Sequence, residues 1–580
     1  MAEAIEQQAT VRVSPCVERA QDPGVWDFTD KLLLALAALA ALLPRVWALG
    51  VAFSPREAAV MLTASHPWPM LWTLLRQGAD KYIPINLRFV PLVKLWNSVA
   101  GDGEFAMRVL PLALSLSALG LGYAAARQLL DRRPALIALL LLAVNPYLVV
   151  MGRTLGYEAL LLPLCALATY AFLRIYTGRA VAADYFLYAV GMCAGLLVHF
   201  IPVALLIPFF IAFFAMREKR AGDVYAWLLV NAPVIALCVV STPQWRALVI
   251  ANVQFAKDSH FMELYDPRLL SSQMQFNIVF IEKYLNTFFT LGAFFPGSIY
   301  HKLNGFDAMA LFAVLPAFHV AMFYGLREYP NGLRARLFLV LALFGAGALG
   351  AGATFFGYTY REGLIPVYLI FSIILAGGVH RFGGAKLRIL FSAAVVLVFL
   401  GGWASVRADE KVSADWRPVA RAVRESVPPG AAVMALDAWN ASAFTFYLKD
   451  DRDRVNVMFM DFAPVDVPGT NKYLSEIIVE PFHGRFFAYG DSLEKSLETR
   501  GEAWLLVQDR TDDNPPHIDE IKRWVRSAVK SGIITVEERQ FNTGGNGKKS
   551  AIQDDLDSAR LPISLLRLRL TGSLDDFRSF

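Results

Sequence analysis

The feature that most constrains this chain is a series of long apolar runs between about residues 31 and 404. About 20 apolar residues are enough to cross a bilayer as a helix, and a window of about 19 residues predicts eleven spans. They lie at 31–53, 105–125, 134–151, 157–176, 183–198, 200–216, 223–241, 306–326, 334–356, 363–380 and 386–404. Hydrophobic residues make up 56% of the 580 residues and charged residues 18%, which argues against a soluble protein.

The connections between the predicted spans alternate in charge. Every second one is basic: "ARQLLDRRPA", "RIYTGRA", "REKRAG", "REYPNGLRAR" and "HRFGGAKLR". Because basic loops face the cytoplasm, the N-terminal tail (1–30) is predicted to be cytoplasmic. An odd number of spans then puts the C-terminal part outside. The net charge of +5 comes without a basic tract interleaved with aromatics, so nucleic acid is not an expected partner.

Two of the predicted outer loops are long, at about 54–104 and 241–305. The first contains "REAAVMLTASHPWPMLWTLLRQG" and "NLRFVPLVKLWNSVAG", in which apolar and polar residues mix at roughly helical spacing. These stretches predict interfacial helices anchored by Trp68, Trp72 and Trp96. An ordinary packed loop is the alternative. No internal repeat is visible.

The composition changes after Val406, where strands and helices alternate. "ADWRPVARAVRESV" predicts an amphipathic helix and "PPHIDEIKRWVRSAVKSG" a helix ended by Gly532. "AAVMALDA", "RVNVMFM", "EAWLLVQD" and "GIITVEERQF" predict strands. The expected organisation is therefore a mainly α membrane domain (31–404) followed by an extracytoplasmic α/β domain (405–580).

Five stretches resemble motifs of a known family: "SPREA", "DKYIPI", "GDGEFAMRVLPLALS", "NPYLVVMGRTLGYEALLL" and "YTYREGLIPVYLIFSIILAGGV". Their order and placement resemble the GT-C class of membrane glycosyltransferases, in the branch of the protein mannosyltransferases and aminoarabinose transferases. The resemblance covers about residues 31–380. It implies a GT-C fold of about eleven helices with interfacial helices in the first outer loop, in a bacterial inner membrane. It also implies a polyprenyl-phosphate sugar as donor and a glycan, lipid or protein as acceptor.

Transfer of a sugar from a lipid phosphate requires three kinds of group. The acceptor hydroxyl needs a base, the departing phosphate needs cations, and a carboxylate stabilises the oxocarbenium-like transition state. Glu57, after the first span, is the candidate base. The family has Asp-Glu at this place, and Arg56 stands here where the Asp is expected. A headgroup anchor in which Glu57 pairs with Arg56 is the alternative.

Glu158, at the start of the fourth span, is the second candidate acid. Ionisable groups at this depth are often functional, but an acid also stabilises a helix N-terminus, and both interpretations stay open. Arg153 is a candidate partner of Glu158 and a candidate phosphate ligand. At the start of the second span, the i, i+4 spacing of Glu104 and Arg108 predicts a structural ion pair.

Further cations are expected at the lipid phosphate. Arg361, after Tyr360 in a short outer loop, is the main candidate, with a headgroup anchor as the alternative. Lys81, after Asp80, resembles the family's donor-phosphate lysine, with surface charge as the alternative. His199 at the end of the fifth span is a candidate supporting residue, although a packed polar residue is the more common role.

No metal-ligand spacing is present among the eight histidines or the four cysteines, Cys16, Cys165, Cys193 and Cys238. Buried inert thiols are the expected role of the cysteines in the apolar runs. No cofactor is predicted, and a divalent cation that bridges Glu57 and a phosphate is left open.

Three hypotheses follow for the function. The first is a glycosyltransferase that acts on the outer face of the membrane. The second is a transporter or flippase of lipid-linked saccharides, which the lack of a repeat and the clustering of charges at helix ends disfavour. The third is a catalytically inactive relative, which Arg56 at the place of the family's acid keeps open.

Overall fold

The structure is a computed structural model. It describes residues 26–47, 49–77, 86–214, 221–258, 365–380, 415–435, 438–448, 456–460, 466–467, 472–473, 485–487, 491–508, 525–541 and 563–571. The predicted spans at 306–326, 334–356 and 386–404 and most of the second outer loop lie outside these ranges. Helices and strands are numbered here along the described residues.

The first part of the described chain is helical. Its helices are α1 Phe28–Val46, α2 Pro55–Ser65, α3 Trp68–Gln77, α4 Val90–Ala100, α5 Glu104–Leu129, α6 Arg132–Val144, α7 Pro146–Met151, α8 Tyr157–Tyr176, α9 Ala182–Val198, α10 Val203–Phe214, α11 Ala221–Asp258 and α12 Ile365–His380. Within the described ranges, three stretches are long and apolar enough to cross a membrane: Glu104–Leu129, Tyr157–Tyr176 and Ala221–Ser241. Shorter apolar helices accompany them, which fits a polytopic membrane fold.

Several predicted boundaries differ from the structure, and the division of the span at 134–151 has a clear local cause. The span predicted at 134–151 is two helices, because Asn145 caps α7 with its side chain and Pro146 occupies the first position of that helix. The first loop stretch is likewise divided into α2 and α3, at His66 and Pro67. The first span ends at Val46 rather than residue 53, and α11 continues to Asp258 rather than ending at 241.

The helices pack around one apolar core. Helix α8 lies between α5 and α9, and Gly191 is where α9 approaches it most closely. A Cβ on Gly191 would lie 2.9 Å from both the backbone nitrogen of Ala168 and the backbone oxygen of Leu164. Near this contact, Phe172, Phe209 and Trp227 form an aromatic cluster. The long helices are therefore held at a spacing set by small residues on one side and aromatic rings on the other.

The first outer loop is tied to the ends of the long helices. Asn86 donates from Nδ2 to the carbonyl of Val198 at 2.6 Å, and Arg88 donates to the carbonyl of Leu197 at 2.9 Å. These bonds satisfy carbonyls at the C-terminal end of α9 that have no partner within the helix. Lys94 does the same for α2, donating to the carbonyls of Ala64 and His66. The loop is thus a packed part of the fold.

Residues 415–571 contain helices and a mixed sheet. The elements are α13 Trp416–Ser426, β1 Ala432–Ala435, α14 Ala438–Leu448, β2 Asn456–Met460, β3 Asp466–Val467, β4 Lys472–Tyr473, β5 Arg485–Phe487, α15 Asp491–Arg500, β6 Glu502–Gln508, β7 Ile534–Phe541 and β8 Ile563–Leu570. Six strands form one sheet in the order β5-β2-β1-β6-β8-β7. The first four are parallel, and β8 runs antiparallel to both β6 and β7.

Successive side chains of a strand point to opposite faces of a sheet, and buried residues lie on both faces of this one. Val433, Trp504 and Leu506 lie on the face that packs against α13, α14 and the first outer loop. Met434 and Leu505 belong to a separate cluster on the other face. The four strands predicted from sequence are present, whereas β8 and the helices α14 and α15 were not predicted. Gly532 has φ +73°, the left-handed conformation expected of a glycine that ends a helix.

The C-terminal residues dock directly on the first outer loop. Helix α14 packs along α2, and the ring of Phe446 meets that of Phe53 edge-on at 5.2 Å between centroids. The hydroxyl of Tyr447 accepts from the backbone N–H of Phe53 at 2.7 Å. Arg417 in α13 donates to the carbonyl of Gly50 at 3.4 Å. One apolar cluster therefore runs without interruption from the loop helices into the sheet.

Candidate functional site

The site is built on the first turn of α2, which the sequence "SPRE" forms as a capping box. Ser54 accepts from the backbone N–H of Glu57 with its hydroxyl, and the carboxylate of Glu57 accepts from the backbone N–H of Ser54 at 2.9 Å. Pro55 occupies the first helical position, where its missing N–H costs nothing. The turn fixes Arg56 and Glu57 in different directions, because neighbouring residues on a helix lie about 100° apart.

Glu57 is paired with Arg108 and not with Arg56. The guanidinium of Arg108 donates from Nε to Oε1 at 2.9 Å and from Nη2 to Oε2 at 2.8 Å, a two-pronged ion pair. Arg108 also donates to the carbonyls of Leu49 and Ala52 at 3.0 Å each. The ion pair expected between Glu104 and Arg108 is therefore wrong, because the side chain of Arg108 turns toward α2 and the backbone before it.

The carboxylate of Glu57 has little capacity left for an acceptor. Its residue is 2% exposed, and it accepts from Arg108, from Ser54 and from the backbone N–H of Leu155 at 3.0 Å. Burial raises the pKa of Glu57, but the charge and hydrogen bonds of Arg108, with those from Ser54 and Leu155, leave the pKa below its ordinary value. These contacts suit a residue that joins α2, α5 and the start of α8.

A second ion pair lies at the start of α8. Arg56 donates from Nη2 to Oε1 of Glu158 at 2.6 Å, and its guanidinium lies over the ring of Tyr157, 5.4 Å from the centroid. The side chain of Arg56 is 27% exposed and that of Glu158 9%. The structure thus pairs Glu158 with the arginine that replaces the family's acid, and not with Arg153 as expected.

His199 is brought to the same place by stacking. Its ring lies nearly parallel to that of Tyr157, with 5.2 Å between centroids, and its Nδ1 accepts from the backbone N–H of Ile201. Burial, aided by the positive charge of Arg88, lowers the pKa of His199 to about 3. The imidazole is therefore neutral at physiological pH. We call Arg56, Tyr157, Glu158 and His199 the α8 cluster.

The glycines of "GRTLGYE" make room for these charges. A Cβ on Gly156 would lie 2.3 Å from Oε2 of Glu158, so the carboxylate folds back over a residue that carries no side chain. A Cβ on Gly152 would lie 2.7 Å from Oγ of Ser115 and 2.9 Å from Nε of Arg45. The motif is therefore a tight connection between α7 and α8, with an acid at one end and cations at the other.

Five other residues were predicted to belong to the site. Asp80, Lys81, Tyr360 and Arg361 lie outside the described residues. Arg153 is half-buried beside Gly152. Where the chain is described, no group of three or more His, Cys, Asp or Glu side chains could hold a metal ion.

Sequence reasoning missed three residues that the structure brings into or beside the site: Arg45, Arg108 as the partner of Glu57, and Tyr447. Arg45 had a signal, since a charge inside the first apolar run is costly and calls for a reason. The Ser-x-x-Glu pattern is also typical of a capping box, which is what Ser54 and Glu57 form at the start of α2. Tyr447 carried no signal, because its partners lie more than 300 positions away in the chain.

Two solved structures show which fold this is. The chain is similar to ArnT from Cupriavidus metallidurans in the apo state, with a TM-score of 0.53 and 12% identity over 92% of this chain and 97% of that one. It is similar to the same protein bound to undecaprenyl phosphate, with a TM-score of 0.50 and the same identity and coverage. These similarities show that the chain has the fold of ArnT, in agreement with the GT-C fold expected from the sequence.

A family model points to the branch within this class. The model described as dolichyl-phosphate-mannose-protein mannosyltransferase matches residues 90–245, a stretch that contains Arg108, Tyr157, Glu158 and His199. No curated protein matches the chain. The match covers less than half of the chain, and it agrees with the resemblance to mannosyltransferase-like proteins of the GT-C class that was inferred from the sequence.

Proposed function

We propose that the chain transfers a sugar from a polyprenyl-phosphate-linked donor to an acceptor hydroxyl on the outer face of the membrane. The observation that carries the proposal is the α8 cluster, in which an acid, a cation and two rings meet within a fold similar to that of ArnT. ArnT has been determined with undecaprenyl phosphate, and this supports a polyprenyl phosphate as the lipid part of the donor.

In this proposal Glu158 activates the acceptor and Arg56 receives the donor. Arg56 is the more exposed member of the ion pair, so it is the one that can turn toward an arriving phosphate. Its departure would leave the carboxylate of Glu158 free to take the proton of an acceptor hydroxyl. The ring of Tyr157 supports both positions of the guanidinium through its face.

Glu57 stays a predicted site residue, but its contacts favour positioning over general-base catalysis. A base needs a free lone pair within hydrogen-bond reach of the acceptor, and both oxygens of Glu57 already accept hydrogen bonds. Lys81, Arg361 and Arg153 stay proposed ligands of the phosphate, with Asp80 and Tyr360 beside the first two. His199, as a neutral ring, would hold Tyr157 in place.

We further propose an inner-membrane location in a bacterium, with residues 1–30 in the cytoplasm, 31–404 as the membrane domain and 405–580 in the periplasm. The docking of α14 on α2 supports one part of this organisation. The hydrogen bond between Tyr447 and the backbone of Phe53 supports placing the C-terminal residues on the same side of the membrane as the first outer loop. The basic loops identified from sequence support the periplasm as that side, because they place the alternate connections in the cytoplasm.

The proposal is tested with the purified chain in proteoliposomes that contain polyprenyl-phosphate sugars and candidate acceptors. Glu158→Gln should lower sugar transfer about 100-fold or more, the range for loss of a general base. Asp184→Asn is the matched control, since Asp184 is also a buried acid paired with an arginine, Arg174, at 2.8 Å. It should leave the transfer rate within about twofold of the wild type.

Two outcomes would overturn the proposed transfer. Sugar that crosses the membrane still attached to its lipid would identify a flippase. Binding of the lipid without transfer to any acceptor class would identify an inactive relative, as Arg56 at the family's acid position allows. A third outcome, transfer that is equally fast in Glu158→Gln and the wild type, would overturn the base role of Glu158.

A further inference from the structure

Arg45 is a fully buried cation without a counter-ion among the described residues. It lies in the last turn of α1 and is 0% exposed. Its Nε donates to the hydroxyl of Ser115 at 3.0 Å, and its Nη1 donates to the carbonyls of Ala41 and Ala143, each at 3.0 Å. Its Nη2 has no hydrogen-bond partner among the residues that the structure describes. Three neutral acceptors therefore surround a full positive charge that nothing described here neutralises.

The groups around Arg45 add donors instead of acceptors. Arg153 lies close enough for its positive charge to repel that of Arg45, and Gly152 between them has no side chain, which allows the close approach. Asn145, also 0% exposed, accepts from the backbone N–H of Leu148 at 3.1 Å, while its Nδ2 has no partner in the described part of the chain. The segment 143–153 thus carries one unused donor, Nδ2 of Asn145, and the positive charge of Arg153.

Such an arrangement is costly unless an anion completes it, because an unpaired buried charge and an unused buried donor both lose the hydration they have in water. We propose that Arg45, Arg153 and Asn145 form a binding site for a phosphate group. A guanidinium presents a fork of N–H groups that matches the oxygens of a phosphate. Arg45 belongs to none of the stretches that resemble the family, whereas Asn145 and Arg153 lie in "NPYLVVMGRTLGYEALLL".

The site is separate from the Glu57–Arg108 pair. Ser115, the contact of Arg45, is seven residues beyond Arg108 on α5, about 10 Å along the helix axis at about 1.5 Å per residue. The phosphate has two candidate sources, the headgroup of a polyprenyl phosphate and free inorganic phosphate. Only the choice of the lipid as a source rests on the proposed function; the anion site itself does not.

The test measures binding to the full-length protein in detergent micelles. Undecaprenyl phosphate and inorganic phosphate are titrated separately, and thermal unfolding is followed with and without each. Arg45→Met should weaken binding about tenfold or more, since charge-assisted bonds are lost. Without phosphate, Arg45→Met should unfold at the same temperature as the wild type or higher, because a buried unpaired charge has been removed. Arg45→Lys should bind with intermediate strength.

The matched control is Arg127→Met, which removes a cation from the other end of α5, where Arg127 donates to the carbonyl of Leu130. It should leave binding unchanged. If only one of the two probes binds tightly and Arg45→Met loses that binding, the result supports the site. The probe that binds then identifies the source of the phosphate. Equal binding by the wild type and Arg45→Met would overturn the proposal, and so would no binding of either probe to the wild type.

The outcome is kept distinct from that of the proposed function by measuring sugar transfer on the same samples. Normal transfer together with unaltered phosphate binding in Arg45→Met overturns the anion site and leaves the transferase intact. Phosphate binding that depends on Arg45, in a protein that transfers no sugar, supports the anion site and overturns the proposed function. A lower unfolding temperature of Arg45→Met that phosphate does not change in either protein would make Arg45 a purely structural residue and overturn the site.

Discussion

The hydroxyl of Tyr447 donates a hydrogen bond to the carboxylate of Glu104 at 3.0 Å across 343 positions of the chain. The same hydroxyl accepts from the backbone N–H of Phe53, and Arg417 lies 3.6 Å from Glu104. Glu104 begins α5, and Phe53 comes directly before the capping box of α2. One phenol therefore joins the C-terminal residues to the two elements that position the Glu57–Arg108 pair.

Tyr447→Phe should weaken this joint. It leaves the N–H of Phe53 and the carboxylate of Glu104 without their shared partner, which costs about 1–3 kcal/mol. We expect a lower unfolding temperature and faster amide hydrogen exchange in residues 49–54. Tyr225→Phe is the control, since Tyr225 is 71% exposed and should change neither quantity. Exchange in residues 49–54 that matches the wild type would show that the phenol does not hold the loop.

Glu57→Gln should destabilise the fold more than it changes any single chemical step. It leaves the guanidinium of Arg108 buried without its charge partner, a loss of about 3–5 kcal/mol for a broken buried pair. Thermal unfolding of Glu57→Gln, Arg108→Gln and the double variant gives the coupling between the two side chains. Additive effects of the two substitutions would contradict the pair. The surface pair of Arg567 and Glu537 is the matched control and should show little coupling.

The same pair predicts a pH dependence of stability. Because the pKa of Glu57 is lower in the folded protein than its ordinary value of 4.5, its contribution is complete above pH 4.5 and is lost as the pH falls through the folded value. The difference in unfolding temperature between the wild type and Glu57→Gln should therefore be constant near neutral pH and shrink in acid. A difference that grows in acid would mean that the folded pKa is raised.

Gly156→Ala should separate Glu158 from Arg56. The new Cβ would lie 2.3 Å from Oε2 of Glu158, and the carboxylate, as the end of a flexible side chain, is the group that moves. We expect sugar transfer to fall while the unfolding temperature changes little, because a partly exposed ion pair contributes about 1 kcal/mol or less. Gly103→Ala, with no atom within 4 Å of its Cβ, is the control. Loss of stability without loss of transfer would argue for a packing role of Gly156.

Much of the helical architecture could be predicted because it depends on local patterns. The apolar runs at 105–125, 157–176 and 183–198 are helices close to the predicted bounds, since about 20 apolar residues fix both the type and the length of an element. The predicted strands are present for the same reason, since each is a short apolar run between polar turns. The division of 134–151 depends on Asn145 and Pro146, which a hydropathy window averages away.

Some of the candidate site residues lie together in the structure, but their pairings were not predicted. Arg56, Glu57, Glu158 and His199 were all candidates, and the structure assembles them around the start of α8. Their ion-pair partners differ from those considered from the sequence: Arg56 pairs with Glu158, and Glu57 pairs with Arg108. Spacing along the chain favours neighbours such as Glu104 and Arg108, whereas the pairing is decided by which helix crosses which, and only the tertiary fold contains that information.

The docking of Tyr447 on Phe53 also sets an order of events during synthesis. The first outer loop is made early, yet its partner is 394 residues further along, so at about 5–20 residues per second the loop waits about 20–80 s for it. During that interval the apolar faces of α2 and of the Phe53 segment have no C-terminal cover. A ribosome that stops before α14 therefore leaves an inserted but unfinished protein, one that quality-control proteases and chaperones on that side of the membrane can recognise by this bare surface.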